Sequence, residues 1–182
     1  MTQSALLTVG STEYTALVEA FLSPNLISYL ASAFGITSVY AQIGNSALPT
    51  GFVIGSQRMD NVRLEVTRFA SDLEQRVGCC DLVVSHAGAG SILSFLRPSS
   101  APTQSRQLIL VPNDTLMDSH QSDLADEMET KGWAKVCRDP RTLSQTLAEL
   151  AATQTERQEQ TAFPPFDKGK MQKILDQTLG YL

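Results

Sequence analysis

One stretch limits what this chain can fold into more than any other: Asp81-Leu-Val-Val-Ser-His-Ala-Gly-Ala-Gly-Ser-Ile-Leu93. Leu82, Val83 and Val84 form the short apolar run of a strand buried on both faces. Ser85 and His86 stand where that strand should end. Gly88 and Gly90 keep side chains off the backbone, and Ser91 is a candidate to cap or start a helix. A strand, a glycine turn and a helix start in that order aim backbone N–H groups and a helix dipole at one spot. That spot favours an anion, typically a phosphate bound next to Ala87, Gly88, Ala89, Gly90 and Ser91.

The flanking sequence predicts alternating strands and helices. Residues 5–9 read as a central strand ending in Gly10, Ser11 and Thr12. A helix follows with Tyr14, Leu17, Val18, Phe21 and Leu22 on its apolar face, and Ser11 or Thr12 is its expected N-cap. Pro24 opens a second helix that Gly35 stops. Residues 37–43 are the next strand and 44–51 a loop; 52–54 are expected as an edge strand, 61–66 as a strand and 69–77 as a short helix. After the central motif, a helix runs to residue 96 and a loop-like segment covers 97–106. A buried strand at 107–111 ends in Pro112-Asn113. Then come a helix over 117–131, a strand over 133–137 and a helix over 140–152. This alternation predicts an α/β fold, a Rossmann-like doubly wound and mainly parallel sheet with helices on both faces. The expected organisation is a Rossmann-like domain over 1–152, then a linker and a terminal amphipathic helix over 153–182. Met171, Ile174, Leu175 and Leu179 share one face of that helix and suit docking.

Composition narrows the chemistry. The 182 residues carry a net charge of −5, with no basic stripe, so a nucleic-acid partner is not expected. No apolar run reaches membrane-spanning length and no signal peptide is evident, which points to a cytosolic chain. The three cysteines, Cys79, Cys80 and Cys137, form no CxxC pair and read as small buried thiols; zinc is not expected. The glycine turn does not extend to GxGxxG, because Leu93 occupies the third glycine position, which argues against a dinucleotide dehydrogenase. The GxxxxGK[ST] loop and the GxSxG elbow are both missing from the sequence. With no DxD either, the chemistry left is a diphosphate held by backbone dipoles, with no metal and no cofactor required.

Residues 83–93, together with Leu108-Ile-Leu-Val-Pro-Asn113 and Leu116-Met-Asp-Ser-His-Gln-Ser-Asp-Leu-Ala125, resemble the donor half of the GT-B glycosyltransferases. They are most similar to the soluble subunit of the two-part UDP-N-acetylglucosamine transferase of dolichol-linked oligosaccharide assembly, a family-28 type enzyme. Leu7-Thr-Val-Gly-Ser-Thr12 fits the same family.

The resemblance implies a UDP-GlcNAc-binding chain that works with a membrane-anchored, acceptor-binding partner on the cytosolic face of the endoplasmic reticulum. The pair would add the second GlcNAc to GlcNAc-diphosphodolichol, with inversion. By the same resemblance Gly88, Ala89, Gly90 and Ser91 present N–H groups to the diphosphate, and His86 touches the diphosphate or the sugar. Met117, His120 and Gln121 lie in the segment that meets the sugar hydroxyls, Asn113 ends a strand at the site, and Ser11 and Thr12 form the first loop. Phe69 packs on the uracil while the Ala70 backbone reads its edge. Related donor halves carry an acid on the helix after the glycine turn; here that position is Ser94. That departure favours the alternative, a non-catalytic nucleotide-sugar-binding or regulatory protein of the same fold. No catalytic base is assigned; His86 is a candidate, and the partner is the expected source.

Overall fold

The computed structural model describes residues 3–98, 106–113 and 120–153. They build one seven-stranded sheet from β1 (Gln3–Thr8), β2 (Ile36–Gln42), β3 (Gly55–Met59), β4 (Val62–Thr67), β5 (Leu82–Ser85), β6 (Gln107–Leu110) and β7 (Lys135–Val136). The strand order is β3-β4-β2-β1-β5-β6-β7. Every pairing is parallel except the β3–β4 hairpin at one edge. The helices are α1 (Thr15–Phe21), α2 (Pro24–Phe34), α3 (Leu73–Cys79), α4 (Ala89–Leu96), α5 (His120–Thr130) and α6 (Leu143–Thr153), with a 3₁₀ turn at Pro140–Thr142.

Side chains alternate across the sheet as the pleat requires. Ala5 and Leu7 of β1, and Val9 just past its end, face a core built with Leu17, Phe21, Leu26, Leu30 and Leu147 from α1, α2 and α6. Leu6 and Val83 face the other way, against Val77, Ile92, Phe95, Ala125 and Met128 of α3, α4 and α5. Each fully buried side chain of this size contributes roughly 1.5–3 kcal/mol. Ser23 caps α2, its hydroxyl accepting from the Leu26 N–H at 3.3 Å, and Pro24 fills the first helical position. No single helix among the described residues is long and apolar enough to cross a membrane. The bent pair α1–α2 passes that test jointly, with a 54° break, but its apolar face is spent on the core.

Several local expectations are corrected. Residues 52–54 are not a strand; the edge strand is β3, whose Gly55 pairs with Val66. The helix expected from residue 69 starts at Leu73, leaving Phe69 and Ala70 in the preceding bend. Neither Ser11 nor Thr12 caps α1, which starts after Tyr14; the Thr12 hydroxyl donates instead to the Val9 carbonyl at 2.7 Å. Gly88, not Ser91, holds the N-cap position of α4. The strand expected over 133–137 shortens to Lys135–Val136. Cys80 and Cys137 are buried as expected, and burial pushes the Cys80 thiol up to about 11, but Cys79 is exposed. The tail beyond residue 153, with Met171, Ile174, Leu175 and Leu179, lies outside the described residues, as does Met117.

Candidate functional site

The chain leaves β1 toward β2, β3 and β4 on one side and later places β5, β6 and β7 on the other. The β1–β5 boundary is therefore the point where the winding reverses, and a crevice opens there outside the strand carboxyl ends. Gly10, His86 and Gly88 meet at that boundary. A Cβ on Gly10 would stand 2.9 Å from His86 Cε1, and one on Gly88 would stand 2.6 Å from Cε1 and from Nε2. The imidazole is thus held between two glycines that no larger residue can replace without moving it. Ala87, between His86 and Gly88 in the chain, is buried with φ of +66°, a left-handed conformation that side chains avoid.

The His86 ring is 7% exposed, and its Nδ1 faces the Thr8 carbonyl oxygen at 3.3 Å. A carbonyl can only accept, so Nδ1 carries the ring proton and Nε2 presents a lone pair. Burial lowers the pKa of the ring, partly opposed by the Thr8 bond, and keeps it neutral. A neutral ring with its lone pair on Nε2 suits a hydroxyl, not a phosphate oxygen.

The part with the geometry to meet an anion is the start of α4. The helix ladder begins with the Ile92 N–H on the Gly88 carbonyl at 3.1 Å, so the amides of Ala89, Gly90 and Ser91 have no acceptor within the helix. Gly88 has no side chain to cap them. A Cβ built on Gly90 meets nothing within 4 Å, so the ground in front of this turn is open. The amides and the helix dipole together form a cradle that is able to receive negative charge.

Other expected residues are drawn into the surrounding loops. Asn113 is buried; its backbone N–H donates to Gln121 Oε1 at 3.2 Å and its side-chain amide to the Glu13 carbonyl at 3.2 Å. Asn113 and Gln121 are therefore brought together at the end of β6 and tied to the first loop. His120 opens α5. Ser11 is exposed, and its carbonyl accepts from the Asn45 side chain at 3.0 Å. Phe69 is 57% exposed, an unusual state for a large aromatic ring, and so is not core packing. Ser71, Asp72, Glu74, Gln75, Ser94 and Arg97 line an open polar cleft of roughly 500 Å³ between α3 and α4. The Ser94 hydroxyl donates to the Gly90 carbonyl at 2.8 Å, one helical turn back.

Two positions escaped the sequence reading. Gln42 ends β2 fully buried; the only signal is a glutamine in an otherwise apolar strand end. Arg106 follows the loop-like segment yet is buried, and it donates to the carbonyls of Cys80 at 2.8 Å, Phe95 at 2.9 Å and Val77.

Strand order and crevice are those of a doubly wound, Rossmann-like α/β domain, a fold it shares with halves of GT-B glycosyltransferases. The family model of the glycosyltransferase family 28 C-terminal domain matches residues 4–177, and the chain belongs to that family. It is similar to the UDP-N-acetylglucosamine transferase subunit ALG13 of Cryptococcus neoformans var. neoformans serotype D, at 31% identity over 97% of this chain and 96% of the relative. The protein of the same name from Yarrowia lipolytica is 28% identical, over 100% of this chain and 87% of its own. Among solved structures, the NMR solution structure of ALG13 matches with a TM-score of 0.61 and 25% identity, over 96% of this chain and 95% of that one. MurG from Acinetobacter baumannii matches with a TM-score of 0.51 and 19% identity, over 97% of this chain but 52% of that one; this likeness is one of fold.

Proposed function

We propose that this chain is the donor-binding subunit of an inverting UDP-GlcNAc transferase that adds the second GlcNAc to GlcNAc-diphosphodolichol. Its partner is a membrane-anchored subunit that binds the acceptor and recruits the pair to the cytosolic face of the endoplasmic reticulum. The observation that carries this reading is the run of unpaired amides at the start of α4, set at the β1–β5 boundary where the winding of the sheet reverses.

The UDP diphosphate sits against the Ala89, Gly90 and Ser91 amides, with the uracil on exposed Phe69 and the Ala70 backbone at its edge. An acceptor hydroxyl oxygen bonds to the anomeric carbon as the bond to the UDP oxygen breaks. The electron pair moves onto the β-phosphate, where the three amides and the α4 dipole stabilise it. The acceptor proton passes to a base, which we assign to the partner chain. The lone pair on His86 Nε2 and the segment around Met117, His120 and Gln121 serve the sugar hydroxyls.

The tail residues Met171, Ile174, Leu175 and Leu179 supply partner docking in this reading. Deleting residues 168–182 should abolish co-purification, and unchanged association would refute that role. The decisive experiment is a transfer assay from UDP-GlcNAc to a lipid-diphosphate GlcNAc acceptor, with each chain alone and with both. Transfer only by the pair is expected. If the lone chain binds UDP-GlcNAc while the pair transfers nothing, the chain is a nucleotide-sugar-binding protein. The engagement of Ser94 with its own helix, in place of an acid, is the observation that favours that second reading.

A further inference from the structure

The carboxyl ends of β2, β1 and β5 carry a row of three paired polar residues, Gln42, Thr8 and Ser85, each essentially inaccessible to solvent. Such a row is costly to bury unless its hydrogen bonds are made. Gln42 makes all of its own. Its Nε2 donates to the Gly10 carbonyl at 2.7 Å and to the Arg68 carbonyl at 2.6 Å. Its Oε1 accepts from the Thr8 hydroxyl at 2.6 Å and from the Gly10 N–H at 3.0 Å. One carboxamide therefore grips both backbone groups of Gly10 and, through its second donor, the loop after β4.

These two loops are the walls of the site. Gly10 is the back wall of the His86 ring, 2.9 Å from it at the position a Cβ would take. Arg68 immediately precedes exposed Phe69. The tie continues outward: the Arg68 guanidinium donates to the carbonyls of Gly44 and Ser46, each at 3.1 Å, and the Ser46 hydroxyl accepts from the Tyr14 N–H at 2.8 Å. Only a side chain with two donors and an acceptor at one end can make this set. Glutamate offers acceptors to two carbonyls, and methionine offers neither function.

We infer that Gln42 is a positioning residue that sets the spacing between the Gly10–His86 wall and the Arg68–Phe69 wall, and so the affinity for a nucleoside-diphosphate sugar. Gln42 touches neither donor nor acceptor and acts through the two loops. The inference rests on the donor-site reading above for its ligand, but the tie between the loops stands independently of it.

The test uses Gln42→Met, close in length and without hydrogen bonds, in the full chain with its partner. The KM for UDP-GlcNAc should rise about tenfold with kcat within about twofold, because the cradle amides are intact while the walls are not held. Amide exchange should accelerate at Gly10, whose N–H bonds to Gln42, and at Gly44, whose N–H bonds to the Arg68 carbonyl at 3.0 Å, and stay unchanged in the middle of β1 and β5. If Gln42→Met does not fold, Arg68→Ala removes the exposed arm of the same tie and should raise KM about threefold with the same exchange pattern. An unchanged KM, or exchange that quickens at Gly10 alone, overturns the inference. If the wild-type pair shows no use of UDP-GlcNAc, the donor-site reading has failed; the exchange pattern of the variant still decides whether Gln42 couples the loops.

Discussion

Gly88 has φ of −70° and ψ of 129°, a conformation that alanine adopts freely, so its requirement is one of space. An added methyl would sit 2.6 Å from the His86 ring, and Gly10 blocks retreat on the other side. Gly88→Ala should lower stability by about 1–3 kcal/mol and cut transfer by the pair at least tenfold, checked by thermal melting and initial rates. Transfer at the wild-type rate would mean that the ring and the cradle are independent. His86 yields a second expectation. Burial lowers its folded pKa below the ordinary value near 6.5, so the unfolded chain takes up the proton first. Its contribution is complete above about pH 6.5 and is lost as pH falls from there. Melting temperature from pH 7 down to pH 5 should therefore fall less steeply in His86→Gln than in the wild type. His120 is present in both proteins, so the difference isolates His86. Equal slopes would sink the claim of a neutral, buried ring.

The elements around the site differ in how readable they were. The β5–α4 junction followed from three apolar residues and two glycines, because a buried parallel strand and a glycine turn have local signatures. Helix α2 was equally plain, with Pro24 at its start and Gly35 at its end. The β3 edge was not, since Gly55, Ser56, Gln57 and Arg58 carry little strand propensity and form a strand only through the β4 hairpin. Arg106 was hidden for a related reason. Its partners are carbonyls near the ends of α3 and α4, and its guanidinium lies 4.1 Å over the Phe95 ring. Such a contact exists only once the helices are packed, and nothing within a few residues of Arg106 announces it. The residue fastens the ends of the two helices that flank the polar cleft. Arg106→Met would keep the aliphatic stem but strand three carbonyls, at a cost of about 3 kcal/mol. A melting temperature lower by roughly 10 °C is expected for a chain of this size, and a shift below 2 °C would show that water replaces the guanidinium.

At the scale of the molecule, the sequence was readable as one Rossmann-like sheet with a crevice at the strand ends. The relative placing of Phe69, Gln42 and Gly10 was not, because it depends on hydrogen bonds between residues 26 to 32 positions apart. The sheet carries the cradle on one side of the crevice, and the chain spans 52% of the MurG chain whose fold it shares. Three amides facing open water gain little from a diphosphate that water solvates well, because the high dielectric weakens every charge contact. A second lobe closing over the crevice would expel that water and strengthen the same amides without changing one of them. The lone chain should therefore bind UDP with a Kd of about 0.1–1 mM, and the assembled pair at least tenfold more tightly, an added 1.4 kcal/mol or so. Titration calorimetry on each separates the cases. Nanomolar binding by the lone chain would mean that the site is complete within these residues, and the two-chain reading would fall with it.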